Sequence, residues 1–139
     1  MTLHKVYLSI GTNLGNRRRN LQAAILLIGK RVGRVERCSS FLETEPWGFS
    51  SPNIFLNAAL CCSTSLSPRE VLKQTQEIER ILGRTMKSQA GKYHDRIIDI
   101  DILLYDDWQV NAPDLHIPHP LMYERDFVMK PLNEIRDNQ

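Results

Sequence analysis

From Ile98 to Ile102 the chain alternates strictly, Ile98-Asp99-Ile100-Asp101-Ile102, the pattern of a strand with one buried face. A strand sends successive side chains to opposite faces, so three isoleucines share one face and two aspartates the other. The segment therefore predicts a strand, over 97–105, with one dry face and one face carrying carboxylates. Such a strand needs partners and a layer packed on its apolar side.

The rest of the chain supplies both. Residues 4–10, 35–43 and 54–64 read as further strands. Asn16 is placed to cap a helix whose apolar positions Leu21, Ala24, Ile25, Ile28 and Val32 recur at helical spacing, with Gly33 at its end. Ser67-Pro68-Arg69-Glu70 is a capping box with proline at the first helical position; that helix runs through Val71, Leu72, Thr75, Ile78 and Leu82 to Gly83. Two prolines, a glycine and serines make 44–53 a loop. Residues 84–96 hold few large apolar side chains and read as a long exposed loop, suited to act as a lid. A short hairpin near 106–110, a proline-rich loop and a helix near 127–135 complete the order. βαββαβ with a short C-terminal extension predicts an α+β, ferredoxin-like sandwich, an antiparallel sheet with two helices on one face.

Composition narrows the classes. With 139 residues, 42% of them apolar, the chain fits a single domain, 1–139, with one core. The longest apolar run, Ala23 to Ile28, is far short of the roughly 20 residues that span a bilayer. No apolar region follows the first basic residue, so a secretory signal is not expected and a cytoplasmic address is. Three cysteines are too few for a disulfide framework or a zinc site, and Cys61 and Cys62, adjacent in a strand, should fill opposite faces. A net charge of +2 gives no reason to expect a nucleic-acid partner.

Two constellations carry chemistry. Side chains at i and i+2 lie roughly 7 Å apart along a strand, so Asp99 and Asp101 can converge on one or two hard cations. An isolated Asp-x-Asp is more often an ordinary solvent-facing strand side. Here Lys92 and Arg96 precede it and His119 and Arg125 follow, a mixture that suits either a plain ion-pair network or a magnesium–triphosphate site. No glycine-rich phosphate cradle is present, so side chains would have to hold a nucleotide. The second constellation is Phe55 and Asn57, which share a strand face: a ring to stack on a flat heterocycle beside an amide that offers donor and acceptor. A core phenylalanine beside a backbone-bonded asparagine has the same pattern. Gln76 and Glu79 flank the apolar stripe of the capped helix, where solvated residues also sit. Arg17-Arg18-Arg19 reads as a solvated face. Pro118 between His116 and His119 argues against a zinc pair.

These segments, with Ile10-Gly-Thr-Asn-Leu14, Ser39-Ser-Phe41, Thr44-x-Pro46-x-Gly48, Phe55-Leu-Asn-Ala-Ala59, Gln76-x-x-Glu79, Gly83-Arg84, Arg96-x-x-Asp-Ile-Asp-Ile102, Pro118-His119 and Arg125-x-Phe127, resemble the 6-hydroxymethyl-7,8-dihydropterin pyrophosphokinase family from the first strand to Ile135. The resemblance implies transfer of pyrophosphate from ATP to the hydroxymethyl group of 6-hydroxymethyl-7,8-dihydropterin in folate biosynthesis, with AMP released. It implies two magnesium ions (Mg2+) on Asp99 and Asp101, and a catalytic role for those two and Arg96. Asn57 and the backbone of Thr44, Glu45 and Trp47 would read the pterin edge, with Phe55 and Phe127 on either side of its ring. Gln76, Glu79, Lys92, Tyr93, Arg96, Ile102, His119 and Arg125 would line the ATP site. Family members commonly carry Arg-Trp-Gly-Pro-Arg ahead of the aspartates, where this chain has Lys92-Tyr-His-Asp-Arg96, and an aromatic where it has Pro120. A monomer is expected. The rival expectation is a non-catalytic ferredoxin-like module that binds RNA or a small ligand; no RNP-type aromatic motif supports the RNA version.

Overall fold

The computed structural model describes residues 2–83 and 97–136. Strand β1 (His4–Thr12) leads to helix α1 (Arg17–Arg31), followed by strands β2 (Arg34–Cys38), β3 (Leu42–Thr44) and β4 (Phe55–Thr64). Helix α2 (Pro68–Ile81) returns to β5 (Asp99–Tyr105); a hairpin of β6 (Val110–Ala112) and β7 (Leu115–Ile117) and helix α3 (Asp126–Ile135) complete the chain. The sheet order is β2-β4-β1-β5, all antiparallel, with β3 also on β4, which is the ferredoxin-like arrangement. No helix among the described residues is long and apolar enough to cross a membrane.

Local chemistry explains the helices. Asn16 Oδ1 accepts from Arg19 N at 3.1 Å, and the Ser67–Glu70 capping box is complete in both directions, 3.2 Å and 2.9 Å. Gly83 ends α2 with φ +98, a conformation that glycine adopts without strain. Gly33 serves another purpose: its φ is not left-handed, and a Cβ there would meet Ser63 O at 2.0 Å. It is glycine because α1 crosses close to β4.

Both faces of the sheet are covered, unequally. On one, Val6, Leu8 and Ile10 of β1, Ile98, Ile100 and Ile102, and Leu60 and Cys62 pack against Leu21, Ala24 and Ile28 of α1 and Val71 and Ile78 of α2. On the other, α3 brings Val128, Leu132 and Ile135 onto Tyr7, Ala59, Cys61, Leu103 and Leu104. Cys61 and Cys62 thus fill opposite faces, as their adjacency predicts. Helix α3 covers only the half of its face nearest Tyr7. The half beneath Ser9, Gly11, Asn57, Asp99 and Asp101 is left open, and the site is built there.

Three expectations are corrected. The strand expected over 35–43 is two strands. Ser39 keeps contact with β4: its N–H donates to Ala59 O and its hydroxyl oxygen accepts from Ala59 N, both at 2.9 Å. Ser40 turns to α3, its N–H and hydroxyl both 2.8 Å from the Glu134 carboxylate, and pairing resumes one residue out of step at Leu42 opposite Asn57. Strand β5 does not alternate throughout: its register with β1 slips between Tyr7 and Leu8, so Leu103 is a bulge and packs with Leu104 on the α3 side. The hairpin lies over 110–117 rather than 106–110; residues 106–107 form a turn that Asp106 ties to β1 by accepting Lys5 N at 2.7 Å.

Candidate active site

A slot opens on the uncovered half of the sheet. Its floor is β1 at Ser9 and Gly11, flanked by Phe55 and Asn57 from β4 and by Asp99 and Asp101 from β5. Its walls are Thr44, Glu45, Trp47 and Phe49 from β3 and the following loop, with Arg125 and Phe127 from the start of α3. Every pterin-side residue expected from the sequence, Thr44, Glu45, Trp47, Phe55, Asn57 and Phe127, lines this one slot. The register explains the meeting: Gly11 is paired with Asn57 on one side and Asp99 on the other, and Ser9 with Ala59 and Asp101.

Asn57 is 2% exposed and fixed: its Nδ2 donates to Thr44 Oγ1 at 2.7 Å and to Leu42 O at 3.3 Å. With both N–H groups engaged, its carbonyl is the group that a ligand meets. Phe49 packs edge-on against Phe55, centroids 6.1 Å apart. The loop carrying Trp47 is held at its far end, where Asn13 Nδ2 donates to Asn53 O at 3.1 Å and Arg17 to Ile54 O at 2.9 Å. Arg17 also pairs with Glu43 at 2.7 Å, and Arg18 lies over the Phe41 ring, so two of the three arginines expected on a solvated face tie α1 to β3 and to the residue before it.

A second cleft meets the first at Asp101. It is lined by Leu72, Ile100, Asp101 and Ile102, and by Asp114, Leu115, His116, His119 and Pro120 from the hairpin and the turn after it. Of the ATP-side residues, Ile102 and His119 line this cleft. Gln76 is exposed one turn beyond Leu72 on α2. Glu79 reaches the outer edge of β5, its Oε2 accepting Ile100 N at 2.8 Å between the two aspartates. Arg125 lies in the first slot, 5% exposed, with its guanidinium 4.4 Å from the Trp47 ring centre and 5.7 Å from that of Phe127. Lys92, Tyr93 and Arg96, and with them the expected lid, lie outside the described residues.

His119 is held by its backbone N–H to Leu103 O at 3.0 Å, the carbonyl of the bulge, while its Nδ1 accepts from Leu121 N at 3.3 Å. A neutral ring with an accepting Nδ1 carries its proton on Nε2. Burial holds the imidazole below its ordinary value, the Arg125 and His116 charges add to this, and Asp99 opposes it. Asp99 and Asp101 are half-buried, on one face, in a cleft that also holds a guanidinium. Among the described residues no group of three or more His, Cys, Asp or Glu could hold a metal unaided. Two carboxylates suit a small hard cation that keeps water and takes its remaining oxygens from a bound phosphate.

The sequence missed Ser9, Gly11 and Phe49 in the slot and Leu72, Asp114, Leu115 and His116 in the cleft. Ser9 and Gly11 share strand parity with each other, but only the pairing of β1 between β4 and β5 reveals what they face. A ferredoxin-like sandwich with an aromatic slot and an adjoining cleft that share a carboxylate has the construction of a domain able to seat two small molecules side by side.

The family model for 7,8-dihydro-6-hydroxymethylpterin-pyrophosphokinase matches residues 7–137. The chain is similar to the 2-amino-4-hydroxy-6-hydroxymethyldihydropteridine pyrophosphokinase of Porphyromonas gingivalis, 53% identical over 131 residues, covering 94% of this chain and 89% of that protein. It is 42% identical over 130 residues to the Bacillus subtilis enzyme of the same name, covering 93% and 76%. Its fold matches a crystal structure of Plasmodium falciparum HPPK-DHPS with TM-score 0.77 at 17% identity, over 96% of this chain and 41% of that one; the chain thus spans about two fifths of that longer protein. The chain belongs to the 7,8-dihydro-6-hydroxymethylpterin-pyrophosphokinase family.

Proposed function

We infer that this protein transfers pyrophosphate from ATP to the hydroxymethyl group of 6-hydroxymethyl-7,8-dihydropterin, releasing AMP, as a step of folate biosynthesis. One observation carries the reading: Asp101 lines both the aromatic slot and the second cleft. A flat ring in the slot and a nucleotide in the cleft would meet at that carboxylate.

In this reading Phe55 and Phe127 flank the pterin ring, Asn57 and the backbone of Thr44, Glu45 and Trp47 read its edge, and the hydroxymethyl arm points along β1 toward Asp99 and Asp101. Ile102 and His119 hold the nucleotide, His119 as a neutral Nε2–H donor. Glu79 acts on β5, which it fixes between the aspartates. Gln76, Lys92, Tyr93, Arg96 and Arg125 complete the ATP site, with Arg96 and Arg125 neutralising phosphate charge. Asp99 and Asp101 would hold two magnesium ions, which would shield the triphosphate and polarise the hydroxyl. The bond formed joins the hydroxymethyl oxygen to the β-phosphorus, and the hydroxyl proton is released to solvent; the other bond broken joins that phosphorus to the oxygen bridging it to the α-phosphate, which leaves on AMP. Alignment and charge neutralisation supply the acceleration. We read the chain as a single domain, 1–139, and as a cytoplasmic monomer, which light scattering tests for the monomer.

Mixing the protein with ATP, magnesium and 6-hydroxymethyl-7,8-dihydropterin should yield AMP and the pyrophosphorylated pterin in equal amounts. ADP in place of AMP, or no pterin-dependent product, would reject the reading.

A further inference from the structure

Gly11 stands at the centre of the slot's floor, and its backbone gives no reason for it to be glycine. It lies within an antiparallel ladder, paired with Asn57 and Asp99, and is absent from the glycines of positive φ, which are Gly15, Gly48 and Gly83 among the described residues. Any residue can adopt its conformation, and glycine inside a strand forfeits stability that alanine would add. What distinguishes the position is space. A Cβ on Gly11 would lie 2.8 Å from Asn57 Oδ1 and 3.7 Å from Phe55 Cδ1.

That contact falls on a side chain with little freedom to retreat. The Asn57 amide is pinned through its nitrogen by Thr44 Oγ1 and Leu42 O, and the residue is buried. Moving Oδ1 away from a methyl group would twist the amide off one of those acceptors. With the nitrogen engaged, Oδ1 is the polar atom that the amide presents toward the floor. The heavy atoms nearest the missing Cβ belong to Asn57 and Phe55, and none belongs to Asp99.

We propose that Gly11 is a positioning and specificity-determining residue: by carrying no side chain it holds the Asn57 carbonyl in place and open to an N–H donor on the edge of the pterin ring. The proposal rests on the slot being the pterin site. Its consequence is one-sided. A methyl group at Gly11 disturbs the two groups that hold the ring and spares the carboxylate that serves the nucleotide.

Calorimetry with 6-hydroxymethylpterin, in magnesium and a saturating non-hydrolysable ATP analogue, tests this. Gly11→Ala should bind the pterin about 10- to 100-fold more weakly, the range expected when a buried polar group loses its partner. Its affinity for the ATP analogue should stay within about 2-fold, and its melting temperature should fall by no more than a few degrees, because the strand preference of alanine offsets part of the cost of the disturbed amide. Asn57→Ala supplies the second arm. Added to that variant, Gly11→Ala should cost less than about 3-fold more, since the atom it displaces is gone. Should Gly11→Ala alone fail to fold, the double variant against Asn57→Ala carries the test by itself. Wild-type pterin affinity in a folded Gly11→Ala, or a full further loss in the double variant, overturns the proposal. Failure of the wild-type protein to bind the pterin removes the slot assignment as well, so the two failures are distinguishable.

Discussion

The Arg125 guanidinium sits 4.4 Å above the Trp47 ring, inside the slot and nearly sealed from solvent. Trp47 itself is 36% exposed, so this stack is worth about 1 kcal/mol, and it ties the loop after β3 to the start of α3. A flat ring entering beside Phe55 and Phe127 has to share or displace this stack. The other tryptophan, Trp108, packs on His4 and Tyr105 at the opposite end of β1 and should not sense the ligand. Pterin binding should therefore change tryptophan emission in wild type and in Trp108→Phe, and leave Trp47→Phe silent. A persistent signal in Trp47→Phe would place the pterin elsewhere.

On the proposed reading, in which the two carboxylates hold the metal beside the triphosphate, Asp99→Ala and Asp101→Ala should each lower turnover by about 10³-fold or more. Excess chelator should reproduce the loss in wild type. Asp101→Ala should also weaken binding of pterin and nucleotide alike, since that residue borders both clefts. Near-normal AMP production by both variants would remove the metal assignment.

His119 should make the fold sensitive to mild acid. Its folded-state value is depressed, chiefly by burial, so the unfolded chain takes up a proton first as pH falls. The stability it contributes is complete above the ordinary histidine value, about 6.5, and is lost as pH drops below it. The urea midpoint of wild type should decline between about pH 7.5 and pH 5, and His119→Asn should flatten that decline. Equal slopes in the two proteins would contradict the sign.

Ser67→Ala should lower stability by about 1 kcal/mol, the usual loss for a helix N-cap, with turnover unchanged, as the cap lies outside both clefts. Denaturant unfolding beside a steady-state assay checks both halves.

The Ser67 cap was legible because every atom it uses lies within four consecutive residues. Asp99 and Asp101 were legible because strand parity is local, and so was the separation of Cys61 from Cys62. Phe55 and Asn57 could be placed on one face, but neither could be assigned a partner from its own strand. The break at Ser39-Ser40 was hidden because its cause, Glu134, comes from the last helix. The resemblance places Arg125 with the nucleotide; its stack on Trp47 depends on where α3 docks. Gly33 does end α1, its N–H donating to Ile28 O at 3.2 Å, but the reason that no side chain fits there, the carbonyl of Ser63, lies on another strand.

The bulge at Leu103 gives β5 two phases. Ahead of it the odd-numbered positions 99 and 101 face the open slot and the even-numbered isoleucines face α1 and α2. Beyond it the parity reverses: Leu104 turns to α3 and Tyr105 to the other core, where its hydroxyl donates to Leu66 O at 2.7 Å. One strand can thus be chemical at its start and load-carrying at its end with neither set of constraints imposed on the other. Deleting Leu103 would straighten the ladder and leave Leu104 and Tyr105 on the faces they hold now, so what this supernumerary residue adds is a second apolar side chain under α3 and the carbonyl that receives the His119 N–H: it is an anchor for the turn that carries the histidine.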